Sequence, residues 1–261
     1  MNLYPVSISL SSYGADLVRE QGQAAFIDVL KRAGASIIEL REELFTEVDL
    51  PTLNQAISAQ GLACVYSSPI ELWQVERTAP NPLLAATLAK AADAGARWLK
   101  VSLGVFTAQC DFAALNALLA HQPVRLLVEN DQTNPGGHIE PMAGFFAKAR
   151  EQRTPVGMTF DIGNWQWQAQ SVQGAARQLG QYVEYVHCKG VKRNAAGKLV
   201  ATPPDAQDLE DWTQLLGSMA PGVMRAVEFP LVGDDLVAVT GEQVHSLARL
   251  GQPAQEVARH G

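Results

Sequence analysis

The hydrophobic pattern of the chain alternates between two kinds of segment. Short, nearly continuous apolar runs bounded by turn residues are typical of buried strands, and longer runs with polar interruptions are typical of helices. Eight strand signals occur, each separated from the next by a helix signal. The predicted strands are 6–10, 37–41, 63–68, 98–103, 125–130, 156–161, 185–187 and 225–228.

The helix signals begin at capping residues or prolines and mostly end near glycines. Seven of them span 16–33, 51–60, 82–95, 112–121, 141–151, 171–182 and 205–219. The Thr240-x-x-Gln243 pattern resembles a capping box and predicts the start of the last helix there. Residues 251–261 show no clear pattern and are predicted to be a loose tail.

This alternation predicts a parallel sheet with helical crossovers. Eight units within 261 residues match the size of a closed (β/α)₈ TIM barrel, and we expect one domain over 1–261. An open doubly wound sheet is the alternative. Nucleotide binding has little support, because no G-x-G-x-x-G motif follows the first strand and no Walker loop occurs.

Composition narrows the class of protein further. The chain is 47% hydrophobic and 18% charged with a net charge of −7, which argues for a large core and against non-specific nucleic-acid binding. The three cysteines lack CxxC spacing, as expected in a reducing compartment. No apolar run approaches the length of a membrane span, and no secretory leader is evident. We therefore expect a cytoplasmic protein without membrane contact.

Polar residues terminate four consecutive predicted strands from the fifth to the eighth. They are Glu129, Asp161, His187 and Glu228. Each alone is typical of a helix cap, a solvated loop residue or a structural histidine. In a barrel, however, the carboxyl ends of the strands form the functional face, so the four side chains are expected to meet.

Three carboxylates and one imidazole form a hard, oxygen-rich ligand set. Such a set suits one divalent ion, with Mn²⁺, Mg²⁺ or Co²⁺ favoured and Zn²⁺ also compatible. It differs from a structural zinc site built on thiolates. The four residues therefore predict a metal centre that leaves coordination positions for the oxygens of a substrate.

The motifs around these residues resemble the xylose isomerase-like TIM-barrel superfamily. They are LVEN (127–130), FDIGN (160–164), VHCKG (186–190) and VEFP (227–230), together with IELR (38–41). That superfamily contains sugar and sugar-phosphate isomerases and epimerases, some dehydratases, and endonuclease IV. In its ketose 3-epimerases a Glu, Asp, His, Glu set binds one metal and the two glutamates exchange the proton. The resemblance assigns the metal to Glu129, Asp161, His187 and Glu228, and catalysis to Glu129 and Glu228.

The resemblance also bears on substrate contacts. An arginine six residues past the histidine contacts substrate in that group, which points to Arg193 here. Asn164 stands where those epimerases usually have a histidine, a departure from the 3-epimerase pattern. The long 190–204 segment is predicted to be a mobile lid that brings Arg193 onto the substrate, with a solvated basic loop or an oligomer contact as the alternative.

Other candidate substrate contacts come from their positions near strand ends. Lys189 could steady developing charge or be a solvated loop lysine, and Lys100 could point into the barrel. Trp165 could stack on a sugar ring or pack within a loop or subunit interface. Glu39 and Arg41 share a face of their strand and are interpreted as a structural ion pair.

These observations predict a metal-dependent sugar or sugar-phosphate isomerase or epimerase that moves a proton through an enediolate. The partner is a small carbohydrate rather than a nucleic acid, and a homo-oligomer is compatible with the sequence. A dehydratase of a keto-polyol, of the inosose or dehydroshikimate type, would use the same groups. A non-catalytic sugar-binding barrel is a weaker alternative. An endonuclease IV-like phosphodiesterase is disfavoured because it needs several metals, and only one of the five histidines lies at a ligand position.

Overall fold

The computed structural model describes residues 4–252, and its central feature is a closed barrel of eight parallel strands. The barrel strands are β1 (Val6–Ser9), β2 (Ile37–Arg41), β3 (Ala63–Trp73), β4 (Trp98–Gly104), β5 (Arg125–Glu129), β6 (Val156–Asp161), β7 (Val183–Cys188) and β10 (Met224–Val227). Their order around the barrel is β1-β10-β7-β6-β5-β4-β3-β2. The predicted (β/α)₈ architecture is confirmed.

Helices surround the barrel. They are α1 (Ala15–Gln21), α2 (Ile27–Arg32), α3 (Leu50–Ala59), α4 (Leu84–Asp93), α5 (Phe112–Leu119), α6 (Ile139–Glu151), α7 (Val172–Leu179), α8 (Ala206–Leu216) and α9 (Leu236–Arg249). Side chains that accept a backbone N–H cap five of them, as is usual at helix N-termini. The capping residues are Asp49, Asp111, Ser171, Asp205 and Asp235.

Two predicted helices differ from the structure. The helix expected over 16–33 is interrupted at Gly22, whose φ of 75° ends α1, and a 3₁₀ turn leads into α2. The last helix begins at Leu236 rather than Thr240, because Asp235 accepts the Ala238 N–H and caps it. Thr240 is buried within α9, and its hydroxyl is 2.8 Å from that of Tyr13. Most of the predicted C-terminal tail lies outside the described residues.

The predicted lid forms a β-hairpin. The strands β8 (Gly190–Arg193) and β9 (Leu199–Thr202) pair antiparallel directly after β7. Asn194 closes the turn between them, because its side-chain oxygen accepts two backbone N–H groups at 3.0 Å. The segment is therefore ordered by its own ladder of hydrogen bonds.

Side-chain alternation divides the strand residues between two cores. A small cluster fills the barrel interior: Ile37, Val65, Leu127, Tyr185 and Ala226. Intervening strand residues, Val128, Phe160 and Cys188 among them, pack in the large core between barrel and helices. The interior cluster lies one step below the polar strand ends, so those ends rest on a packed floor.

Within residues 4–252, no helix combines the length and apolar character needed to cross a bilayer. All three cysteines are buried and free.

Candidate active site

The ends of four neighbouring strands bring the predicted metal ligands together. Glu129, Asp161, His187 and Glu228, here called the ligand cluster, each offer one ligand atom, and these atoms lie within 4.8 Å of one another. The strand register explains the convergence. Asp161 on β6 pairs with His187 on β7, and His187 pairs with Ala226 on β10, two residues before Glu228.

Two glutamates of the ligand cluster each bind a cation through one oxygen and turn the other inward. Glu129 accepts a hydrogen bond from Lys100 Nζ at 2.5 Å through Oε2, and its Oε1 lies 2.9 Å from His187 Nδ1. Glu228 accepts from Arg41 at 2.8 Å through Oε1, and its Oε2 lies 2.9 Å from the same Nδ1. The partners on the outer oxygens thus fix which oxygen faces the centre.

The aspartate and the histidine follow the same rule. Asp161 Oδ1 accepts the backbone N–H of Asn164 at 2.9 Å, which leaves Oδ2 facing His187 Nδ1 at 3.8 Å. His187 Nε2 lies 2.7 Å from Glu39 Oε2, which leaves Nδ1 toward the other ligands. All four residues therefore present one atom to a common point while a protein group holds the other.

The geometry of these inward atoms suits a metal ion. Glu129 Oε1, Asp161 Oδ2 and His187 Nδ1 are buried and make no well-formed hydrogen bond within the described part of the chain. Atoms bound to one ion at about 2.1 Å lie roughly 3.0–4.2 Å from each other. The 2.9 to 3.8 Å separations from His187 Nδ1 are close to that range, so the ligand cluster could hold one divalent ion.

Glu39 holds the histidine of the cluster from below. Its Oε2 also accepts the Tyr185 hydroxyl at 2.7 Å, and its side chain is fully buried. Burial raises the pKa of Glu39, but the charges of His187 and Lys100 outweigh that effect and keep the pKa at about 2. An ionised carboxylate on the outer nitrogen of a metal-binding histidine fixes its orientation and increases its basicity.

The sequence interpretation of Glu39 and Arg41 as mainly an ion pair with each other is revised by these contacts. Arg41 lies 3.6 Å from Glu39 but makes its shorter bonds to Glu43 and Glu228, each at 2.8 Å. Strand alternation placed Glu39 on the inner face, which was the available signal. Its partner His187 is 148 residues away, so sequence could not assign the contact.

Replacing Glu39 by glutamine is expected to weaken Mn²⁺ binding about 10- to 100-fold, the usual cost of losing a group that supports a metal ligand. Tyr185→Phe is the matched control, because it removes another bond to the same Glu39 oxygen and leaves the histidine contact in place. Isothermal titration of both variants checks the prediction. Wild-type affinity in folded Glu39→Gln protein would contradict the assigned role.

Two predicted substrate-contacting lysines lie directly beside the ligand cluster. Lys100 points into the barrel and bonds Glu129, while Lys189 Nζ lies 2.7 Å from Asp161 Oδ2 and 2.9 Å from Glu228 Oε2. Burial lowers the pKa of Lys189, but the two carboxylates outweigh that effect and hold the pKa above its ordinary value. Lys189 is thus a buried, charged member of the site and not a solvated loop residue.

A polar cavity of about 390 Å³ opens above the ligand cluster. Hydroxyl, amide and charged groups dominate its wall. The lining residues are Arg41, Ser67, Ser68, Pro69, Glu71, Lys100, Ser102, Glu129, Asp131, Gln132, Thr133, Asn164, Lys189 and Glu228. The serines and Thr133 had no sequence signal, because a hydroxyl residue in a loop has many other roles. A wall of this kind suits a small polyhydroxylated molecule.

The other predicted contact residues occupy different positions. Asn164 lines the cavity, but its amide donates to the Asn130 carbonyl and accepts from Gln132, so it braces the loops as well. Trp165 is fully buried, packs on Phe160 and is not among the residues that line the cavity, so its contact with a substrate stays a prediction. Its indole belongs to the core between barrel and helices, where burial of a bulky apolar side chain contributes more to the free energy of folding than exposure in the cavity would.

Arg193 also lies outside the cavity wall. It is exposed on β8 of the hairpin, and its guanidinium donates to the Gly197 carbonyl at 2.8 Å. Contact between Arg193 and a substrate therefore requires a rearrangement of the hairpin and stays a prediction.

Comparison with known proteins adds evidence on the fold. No protein-family model matches the sequence, and no curated protein sequence matches it. Solved structures do match. The IolI protein with a bound zinc atom superimposes with a TM-score of 0.70 at 12% identity, covering 94% of this chain and 99% of that one. D-psicose 3-epimerase from Clostridium cellulolyticum H10 gives 0.66 at 11% identity, with 95% and 100% coverage.

A third solved structure is that of a protein named for a different reaction. It is a probable 3-DHS dehydratase, AsbF, from Bacillus anthracis, with a TM-score of 0.64 at 12% identity and coverage of 93% of this chain and 98% of that one. At such identities the likeness establishes the fold. The chain therefore shares the closed (β/α)₈ fold of these structures, which include a xylose isomerase domain containing protein from Salmonella typhimurium.

Proposed function

We propose that the protein is a divalent-metal-dependent isomerase or epimerase of a small sugar or sugar phosphate. The observation that carries the proposal is the ligand cluster, in which four strand-end residues turn one ligand atom each toward one point below a polar cavity. A non-catalytic sugar-binding barrel would not need this convergence of buried charges, which is costly to maintain. The fold shared with D-psicose 3-epimerase supports the same class of reaction.

Proton transfer next to a carbonyl is the chemistry that these side chains can perform. A divalent ion held by the ligand cluster would supply Lewis-acid stabilisation for negative charge on the substrate's oxygens. Glu129 or Glu228 removes the carbon-bound proton, and the same or the other glutamate returns it. The ammonium groups of Lys100 and Lys189 are buried beside these carboxylates and offset part of the negative charge of the two glutamates.

Donor chemistry favours Mn²⁺, Mg²⁺ or Co²⁺ for this site, because three of the four ligands are carboxylates. Zn²⁺ also fits an imidazole-containing set, and the IolI structure contains zinc. Among residues 4–252 this is the one group of its kind, which is too few ligands for an endonuclease IV-like centre with several metals.

A substrate panel tests the proposed function directly. Ketoses, ketose phosphates and keto-polyols are incubated with the Mn²⁺-loaded protein in D₂O and followed by NMR. We expect one class to be converted, with deuterium appearing at the carbon next to the carbonyl. If no member of the panel is converted or exchanged while the protein binds Mn²⁺, the isomerase proposal fails.

A dehydratase of a keto-polyol is the second candidate. It is supported by the fold shared with AsbF, and it needs the same base to remove a proton before hydroxide departs. The panel separates the two candidates, because dehydration yields a product lighter by one water and isomerisation conserves mass. Inosose- and dehydroshikimate-type substrates are the members of the panel that test this candidate.

The hairpin prediction can be tested in the same assay. If β8 and β9 close over the cavity, Arg193→Ala is expected to lower kcat/KM by about tenfold or more, because a charge-assisted bond to substrate is lost. Lys198→Ala is the matched control, since it removes an exposed cation from the same hairpin. Wild-type kinetics in Arg193→Ala would exclude this residue from the site.

A further inference from the structure

Lys189 occupies a position in the ligand cluster that differs from that of every other cation nearby. Its Nζ contacts Asp161 Oδ2 and Glu228 Oε2, the same oxygens that face His187 Nδ1. A metal ion held by the ligand cluster needs those oxygens. The ammonium and the ion therefore require the same two ligand atoms.

Lys100 and Arg41 provide the contrast. Lys100 bonds Glu129 Oε2, and the oxygen that faces the histidine is Oε1. Arg41 bonds Glu228 Oε1, and the oxygen that faces the histidine is Oε2. These two cations hold the outer oxygens and orient the inner ones, so their bonds persist when an ion is bound.

Lys189 belongs both to the surroundings of the ligand cluster and to the cavity wall. It contacts two of the ligands and is one of the residues that line the cavity. Its stem passes over Gly163, where a Cβ would lie 3.1 Å from Lys189 Cε and 2.7 Å from Val191 Cγ2. A side chain at position 163 would therefore crowd the Lys189 stem, and the glycine avoids that contact.

We propose that Lys189 is an internal competitor for the metal, and that binding of the ion drives its ammonium off Asp161 and Glu228 into the cavity. There it becomes a cation free to contact an oxygen of the substrate beside the metal. The proposal rests on the proposed metal site. It makes assembly of the substrate-binding wall dependent on metal loading, since the lysine ammonium is released from the two carboxylates only after the ion has taken its ligands.

The test compares two neutral variants of equal charge change. We expect Lys189→Met to bind Mn²⁺ at least about tenfold more tightly than wild type, because the competing charge-assisted bonds no longer have to be broken. Lys100→Met removes an equally buried charge without releasing an inner oxygen, so it measures the general electrostatic gain. Lys189→Gln serves as a second variant if the methionine protein is unstable. Affinities are measured by isothermal titration with Mn²⁺ alone.

A second measurement uses the unmodified chain. Reductive methylation followed by peptide mass spectrometry reports how accessible each lysine amine is. We expect labelling of Lys189 to rise severalfold when Mn²⁺ is added, while Lys100 stays protected and the exposed Lys90 reacts equally in both states. Unchanged labelling of Lys189 in protein that has bound Mn²⁺ would overturn the proposal.

The outcomes separate this inference from the proposed function. An affinity gain for Lys189→Met that does not exceed that of Lys100→Met refutes competition and leaves the metal site intact. If neither wild type nor Lys189→Met binds Mn²⁺, Mg²⁺, Co²⁺ or Zn²⁺, the metal-dependent function itself fails and the inference with it.

Discussion

The single variants Asp161→Ala and His187→Ala are each expected to bind Mn²⁺ more than about 100-fold more weakly than wild type does. This loss is larger than the loss caused by removing a group that only supports a metal ligand. Each substitution deletes a buried ligand atom that faces the common point of the ligand cluster. Equilibrium dialysis with metal analysis of the protein fraction measures the effect.

Cys188→Ala is the control for that experiment. Cys188 lies between His187 and Lys189 in sequence, but its side chain is buried in the outer core, so its loss disturbs packing without touching the ligand cluster. Its metal affinity should match that of wild type. Unchanged metal content in both Asp161→Ala and His187→Ala would show that the ion, if bound, is held elsewhere.

Glu129→Gln and Glu228→Gln are each expected to retain metal but to lose at least about 10²-fold in kcat, the usual scale of general base catalysis. Glutamine keeps the shape of the side chain and one oxygen for the metal, while its NH₂ group takes the place of the outer oxygen that accepts from Lys100 or Arg41. What it lacks is the capacity to take the substrate's proton. Steady-state kinetics on the substrate found in the panel, with metal content measured in parallel, tests both variants.

Solvent exchange decides which mechanism these variants affect. With proton transfer through a glutamate, deuterium from D₂O enters recovered substrate or product during turnover. If deuterium never enters while product forms, a hydride shift explains the reaction better. Full activity in both glutamine variants would show that the two glutamates have only a structural role, and it would exclude the proposed mechanism.

The sequence was sufficient for the barrel and for the ligand cluster because both rest on local regularities. Strand signals are short apolar runs bounded by turn residues, and helix signals are longer runs with polar interruptions, so the order of elements can be determined from short windows. In a parallel barrel every strand ends at the same face, so a polar residue at each of four consecutive strand ends specifies a shared location without any distance information. His187 and its three carboxylate neighbours were predicted on that ground alone.

Tertiary contacts decided the rest, and several of them join residues that lie far apart in the sequence. Asp235 rather than Thr240 caps α9, since Thr240 is taken into the core by Tyr13, 227 residues distant. Trp165 was equally compatible with a loop, an interface or a binding wall, and the packing of Phe160 buried it.

The orientation of each ligand atom also belongs to the tertiary structure. Sequence indicates that a carboxylate is present at a strand end, but not which of its oxygens is already bonded. That choice follows from Lys100 and Arg41 holding the outer oxygens of the two glutamates, and from Glu39 holding the outer nitrogen of the histidine. Because hydrogen bonds are directional and short, only the folded arrangement of strands separated by many tens of residues determines which atoms remain for a metal.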